Sequence, residues 1–150
     1  MSSALSVRRC ATLCLAALAS ACGSPDRSSS DPRDARQVAA GKAIYDQYCA
    51  RCHGGNLEGQ PNWKTRQANG RLPAPPHDAT GHTWHHSDVA LFGITRNGMT
   101  PYAGANYQSD MPAFAATLSD EQIWQVLAYI KSRWPRRIQD AQSAINRESR

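Results

Sequence analysis

Apolar side chains recur at helical spacing in three stretches of the chain, and each stretch is bounded by residues that start or stop helices. The stretches cover about residues 34–48, 87–98 and 119–135. In the third, the spacing of Ser119 and Gln122 fits a capping box. No stretch shows the alternation typical of a strand. The pattern therefore predicts three main helices and an all-α fold.

The interval between the first two predicted helices, at about residues 54–86, contains few large aliphatic side chains. A segment of this length without regular structure is uncommon in a small domain. We therefore expect a bound group to supply part of the core. The pattern predicts one domain over residues 35–135, followed at 136–150 by a polar C-terminal tail that is either a frayed helix or disordered.

The amino terminus has the pattern of a signal peptide. Arg8 and Arg9 give a positive start, a short apolar run follows, and Ala19-Ser20-Ala21 is a small-residue cleavage pattern. The apolar run is too short to span a bilayer by itself. We expect residues 1–21 to be removed and the mature protein to be exported to the periplasm.

Cleavage after this segment leaves Cys22 as the first residue, which resembles a bacterial lipoprotein whose cysteine carries lipid. Residues 22–34 are rich in Ser, Pro and Asp, a composition that predicts a flexible tether. We expect a lipoprotein anchored to a membrane through Cys22. The alternative is ordinary cleavage at the same bond, which leaves a soluble periplasmic protein.

Cys49 and Cys52 are separated by two residues and His53 follows directly, which is the pattern of a covalent c-type haem site. Thiols three residues apart lie on one side of a helical turn and reach one porphyrin edge, with His53 beside the iron. Two alternatives are weaker. A thiol redox pair typically accompanies a neighbouring βαβ pattern, which this sequence lacks. A zinc site would combine the two cysteines with His82 and His86, and the sequence gap between these halves is longer than in zinc fingers.

An electron-transfer haem needs a second axial ligand, and a thioether in a loop can provide it. Met111 is followed by Pro112, which stiffens the chain, and the polar stretch before it has loop character. Met99 competes with Met111, but it lies at the end of the second predicted helix with less slack to cross the haem. We predict that His53 and Met111 are the metal ligands. The alternative for either methionine is core packing.

The haem motif, the Met111-Pro112 pair, a first helix with Gly41 and Tyr45, and an aromatic last helix together resemble the class I c-type cytochromes. The resemblance covers about residues 36–134. It implies a cytochrome c fold, in which three to four helices wrap around one haem c attached through the two cysteines of the motif.

The resemblance also implies particular contacts. The first and last helices would cross where the glycine and tyrosine of the first helix meet Tyr129. A prolyl carbonyl, from Pro75 or Pro76, would accept a hydrogen bond from the haem-ligating histidine. Arg71 and Trp84 are candidates for contacting the haem propionates, because arginine and indole N–H groups suit carboxylates. The alternative for Arg71 is a surface charge.

Four of the five histidines lie between residues 77 and 86, at His77, His82, His85 and His86. They could bind a second metal such as copper, or supply an alternative haem ligand. Alternatively, they cap the second predicted helix and form hydrogen bonds around the haem edge. No complete ligand set is visible in the sequence, so the structural interpretation is favoured.

The formal net charge of +5 falls when the arginines of the signal peptide are removed, and the charge pattern is not that of a nucleic-acid-binding protein. A basic cluster remains at Lys131, Arg133, Arg136 and Arg137. It could steer an acidic redox partner. A solvated helix end is the favoured alternative.

These observations together predict a periplasmic single-electron carrier that exchanges electrons with donor and acceptor redox proteins. With both axial positions filled by side chains, no site remains for a substrate, so we expect no enzymatic activity. Two other functions compete with this one. The first is a peroxide- or gas-binding haem protein with a displaceable Met111, and the second is a copper-handling protein that uses the cluster from His77 to His86.

Overall fold

A computed structural model of the chain describes residues 28–149. The predicted signal peptide at 1–21, the lipid site at Cys22 and the first part of the predicted tether lie outside the described residues. Within the described range, no helix has the length and apolar character needed to cross a membrane.

Residues 28–149 form six α-helices and one short 3-10 helix and contain no strand, in agreement with the predicted all-α fold. The α-helices are α1 (Ala35–Tyr48), α2 (Ala50–His53), α3 (Asp88–Asn97), α4 (Thr100–Ala103), α5 (Asp120–Ser132) and α6 (Arg136–Glu148), and the 3-10 helix is Thr83–His85. The three predicted main helices are confirmed as α1, α3 and α5. Side chains of Asp34, Ser87 and Ser119 cap them, the last in the predicted capping box with Gln122.

Helices α1 and α5 cross at Gly41, where their backbones touch. A Cβ atom built on Gly41 would lie 1.9 Å from the carbonyl oxygen of Gln125, so only glycine fits there. Beside the crossing, the fully buried Tyr45 packs against Tyr129 with ring centroids 5.3 Å apart. The expected contact of Gly41, Tyr45 and Tyr129 is confirmed. It fixes the orientation of α1 and therefore the position of the cysteines that follow this helix.

Helix α5 packs against both α1 and α3. It supplies much of the buried apolar core, namely Ile123, Val126, Leu127, Tyr129 and Ile130. Four residues complete the core from outside the helices: Leu57 from the segment after the cysteines, Phe114 and Leu118 from the segment after Met111, and Trp134 from the turn between α5 and α6. Each long loop is therefore attached to the same core by at least one buried side chain.

The segment predicted as a polar, frayed or disordered tail is instead the regular helix α6, which buries Ile138 and Gln142. The Gln142 side-chain nitrogen donates to the carbonyl oxygen of His86 at 3.2 Å and to Oδ1 of Asp88 at 2.7 Å. A buried polar group costs little when it is hydrogen-bonded. The polar composition of this segment therefore gave no indication that its helix packs against the domain.

Lys131 lies in a buried network and not in an exposed basic cluster. It is 7% exposed, and its Nζ donates to the two carboxylate oxygens of Asp88 at 2.9 and 2.7 Å. It also donates to the carbonyl and hydroxyl oxygens of Ser30 at 3.1 and 2.9 Å. Ser30 belongs to the segment predicted as a flexible tether, so this end of the segment is bound to the domain. The arginines predicted with Lys131 are exposed, namely Arg133, Arg136 and Arg137.

Candidate functional site

The two cysteines and His53 lie on consecutive turns where α1 passes into α2. The Cys49 carbonyl accepts hydrogen bonds from the backbone N–H of Cys52 at 3.0 Å and of His53 at 2.9 Å. Both cysteines are free and half-buried. Burial, with a smaller contribution from Cys52, raises the pKa of Cys49 to about 12. A redox-active thiol pair needs an accessible thiolate, so the site does not suit that alternative.

The imidazole of His53 is held by one hydrogen bond that leaves its other nitrogen available. Nδ1 lies 2.8 Å from the carbonyl oxygen of Pro75. Because a carbonyl can only accept, we assign the proton to Nδ1, and the lone pair of Nε2 remains for a metal. Burial lowers the pKa of His53, and the bond to Pro75 opposes this only in part. The neutral imidazole, which is the metal-binding form, is therefore favoured.

Of the two prolines considered for this contact, the structure pairs Pro75 with His53. The Pro76 carbonyl accepts instead from the Thr83 hydroxyl at 3.4 Å. Two glycines enclose Pro76, since a Cβ on Gly59 would lie 2.4 Å from its nitrogen and a Cβ on Gly81 would lie 2.0 Å from its carbonyl oxygen. No side chain fits at such distances. Neither glycine is distinguished in the sequence, because both stand in a loop without periodicity.

His77 lies against His53 and apart from the other clustered histidines. The two rings stack with centroids 3.9 Å apart and planes 23° apart. The Tyr45 ring approaches His77 edge-on at 6.3 Å, and His77 Nδ1 lies 2.8 Å from the Thr83 hydroxyl oxygen. Burial, with smaller contributions from His53 and His82, lowers the pKa of His77 well below its ordinary value. Two neutral rings can therefore stack without charge repulsion.

The remaining three clustered histidines do not complete a metal site. His85 stacks on Trp84 at 3.6 Å and His82 on Trp63 at 5.4 Å, while the His82 and His86 rings meet edge to face at 5.4 Å. Among the described residues, no three Cys, His, Asp or Glu side chains are placed to hold one metal ion. The structure thus does not assemble the zinc alternative, and a copper site in this cluster would have to rest on His82 and His86.

Trp84 carries a buried donor that the polypeptide leaves unused. Its Nε1–H is the one buried side-chain polar group in the described part of the chain that has no hydrogen-bond partner. A buried indole N–H normally finds an acceptor. This donor fits a carboxylate of a bound group, in line with the predicted contact to a haem propionate.

The guanidinium of Arg71 forms an ion pair with Asp110, in which Arg71 is partly exposed and Asp110 is exposed. The predicted contact of Arg71 with a haem propionate stays a prediction. Asp110 directly precedes Met111. The pair therefore joins the loop that follows His53 to the segment that carries the predicted thioether ligand.

Met111 lies in the loop between α4 and α5 and is half-buried against the apolar core. Its N–H donates to the Ser109 hydroxyl at 3.0 Å. Farther along, the buried Phe114 donates its N–H to the Thr95 carbonyl in α3 at 3.1 Å. Met99 is held directly between α3 and α4. Met111 therefore lies in a loop that is long enough to reach the iron, whereas Met99 is confined between two helices.

Two free thiols, a neutral imidazole with one available nitrogen and a buried unpartnered indole N–H together define a site for covalently attached haem. A family model described as Cytochrome c matches residues 38–134. The chain belongs to the cytochrome c family, whose members carry haem c on cysteines and transfer electrons, and Cys49 and Cys52 are the attachment residues here. Comparison with curated proteins and with solved structures gives no significant match.

Proposed function

We propose that this protein is an exported single-electron carrier in which His53 and Met111 would hold the iron of haem c. The hydrogen bond from His53 Nδ1 to Pro75 carries the proposal, because it orients the imidazole and leaves Nε2 as a ligand beside the attachment cysteines. Met111 supports the second position as a half-buried thioether on an anchored loop. Thioether ligation favours ferrous iron and raises the reduction potential.

When bound, the haem supplies reversible one-electron chemistry. The chain orients His53 through Pro75, would donate a hydrogen bond from Trp84 to a haem propionate, and excludes water with its core. With two side chains on the iron, no position remains for a substrate, so the protein is a carrier and not an enzyme. Donor and acceptor redox proteins dock transiently near Cys49 and Cys52 through a small interface.

We also propose that the mature protein is anchored to a membrane by lipid on Cys22 and faces the periplasm. The signal pattern at 1–21 supports export, and so does the attachment of bacterial c-type haem outside the cytoplasm. The intact mass of membrane-extracted protein tests this proposal. We expect a mass that includes lipid and haem, and release of the Cys22→Ser variant into the soluble fraction. Unlipidated wild-type protein in the soluble fraction contradicts the anchor.

Optical spectra of the oxidised and reduced protein test the ligand pair. We expect a far-red sulfur-to-iron band in the oxidised protein that is lost in Met111→Ala. Met99→Ala removes a matched thioether and keeps the band. Loss of the band in Met99→Ala alone would assign the ligand to Met99. Absence of the band in the wild type would favour an open or displaceable position, as in peroxide or gas binding.

A further inference from the structure

We propose that His77 is a positioning residue whose ring fixes the plane of the His53 imidazole and thereby sets the electronic symmetry of the haem iron. The inference rests on the proposed function in taking His53 as an axial ligand. It adds a second constraint to the one that Pro75 supplies.

The bond to Pro75 cannot fix the imidazole alone. It restrains Nδ1, which lies 2.8 Å from the carbonyl oxygen, but the ring can still turn about the direction of that bond. A flat neighbour on the ring face removes this freedom. The His77 ring is such a neighbour, with its centroid 3.9 Å from that of the His53 ring and an interplanar angle of 23°.

His77 can act in this way because it is itself held on several sides. Its Nδ1 contacts the Thr83 hydroxyl oxygen at 2.8 Å, and its backbone N–H donates to the Leu57 carbonyl at 2.8 Å. Its own carbonyl accepts from Nε1 of Trp134 at 2.7 Å. Leu57 and Trp134 are both buried in the core, so these contacts join His77 to the rigid part of the fold.

The plane of an axial imidazole sets how unpaired electron density is distributed over the porphyrin in the oxidised state. That distribution appears directly in the proton shifts of the haem methyl groups and in the g-values. Groups that orient a metal ligand are known to tune the metal. These spectra therefore report the orientation of His53 independently of protein stability and of any electron-transfer activity.

The test compares three holoprotein variants with the wild type. His77→Leu removes the flat ring, and Thr83→Val keeps the ring but removes its hydrogen bond. His86→Leu is the matched control, because its ring meets the edge of the His82 ring and has no ring contact with His53, His77 or Trp84. We expect a clear shift of the haem methyl resonances in His77→Leu, a smaller shift in Thr83→Val and none in His86→Leu, with the far-red band kept in all three.

Haem methyl resonances in His77→Leu that superimpose on those of the wild type would overturn the positioning role. Failure of the proposed function gives a different result, the absence of the far-red band in the wild type itself. His77→Asn covers the case in which His77→Leu does not mature, because it keeps a polar side chain beside the Thr83 hydroxyl but has no ring. We expect a clear shift in His77→Asn as well, and wild-type haem methyl resonances in that variant would also overturn the proposal.

Discussion

The two sides of the haem site are built in different ways. The histidine side, residues 54–86, packs backbone against backbone around Pro76, and the N–H groups of His77 and Asp78 both donate to the Leu57 carbonyl at 2.8 and 3.2 Å. The methionine side, residues 98–118, is largely exposed. The C-terminal part of this segment is attached to α3, because the N–H groups of Phe114 and Ala115 donate to the carbonyls of Thr95 and Arg96.

This difference separates two tasks. The histidine side is built to orient a ligand before haem arrives, because Gly59 and Gly81 pack directly against Pro76, next to the Pro75 carbonyl that holds His53. The methionine side carries the proposed ligand Met111 on a loop with few buried contacts, and such segments open at lower free energy than the core. A cleft of about 630 Å³ lies against this loop, lined by Arg66, Asn69 and Gly70 on one side and residues 103–108 on the other.

The largest effect is expected at Lys131, which holds the junction where the histidine side enters α3. Removing one partner of a buried ion pair costs about 3–5 kcal/mol. Asp88 keeps Gln142 as a donor, so we expect Lys131→Met to lower the unfolding free energy by about 3 kcal/mol, measured by denaturant unfolding. Lys42→Met removes an exposed ion pair and serves as the control. Similar losses in both variants would show that the buried network does not stabilise this junction.

A methyl group at Gly81 tests the close packing of the histidine side. The new Cβ would lie 2.0 Å from the Pro76 carbonyl oxygen, which is backbone and cannot rotate away. Overpacking costs about 1–3 kcal/mol, and we expect Gly81→Ala to lose about 2–3 kcal/mol of unfolding free energy. In Gly55→Ala, the control, the added methyl group meets nothing within 4 Å. Equal stability of the two variants would contradict the packing argument.

Trp84→Phe tests the donor assigned to a haem propionate. Phenylalanine preserves an aromatic partner for His85 and removes the indole N–H together with one of the two fused rings. A hydrogen bond to a charged group contributes about 1.5–3 kcal/mol, and we expect the holoprotein to lose about 1.5–2 kcal/mol, since a propionate retains some solvent. Chemical unfolding followed by haem absorbance measures the loss. No destabilisation in Trp84→Phe would mean that Nε1 has no partner in the holoprotein.

The smallest effect is expected at the ion pair between Arg71 and Asp110, which joins the two sides. Arg71 is partly exposed and Asp110 is exposed, and ion pairs that solvent reaches contribute about 0–1 kcal/mol. We expect Arg71→Gln to change the unfolding free energy by less than about 1 kcal/mol and to keep the far-red band. Arg96→Gln removes a comparable exposed pair with Asp120 and is the control. Loss of the band only in Arg71→Gln would mean that this pair holds Met111 on the iron.

The features that could be predicted from the sequence depend on short spacings. The Ser119 and Gln122 capping box gave the start of α5, the cysteine and histidine spacing gave the haem site, and Gly41 with Tyr45 gave the helix crossing. Each of these signals lies within a few neighbouring residues. Such a pattern can be converted into a structure because only the local geometry of the backbone is needed to interpret it.

The features that could not be predicted depend on where an aperiodic loop folds back. The contact between His77 and His53 and the fit of Gly59 and Gly81 around Pro76 require the full path of residues 54–86. The packing of helix α6 on the domain, in a segment for which a frayed helix was one of two expectations, was missed for another reason. Its buried stripe includes a glutamine whose hydrogen bonds are made to residues far away in sequence.

The central claim is that the surroundings fix His53 in place while a loop brings Met111 to the iron. Titration of the oxidised holoprotein with free imidazole tests this claim most directly. The account predicts that the far-red sulfur band disappears as imidazole replaces Met111 and returns when the imidazole is removed. A band that persists at saturating imidazole, or an oxidised protein that has no such band before imidazole is added, would contradict it.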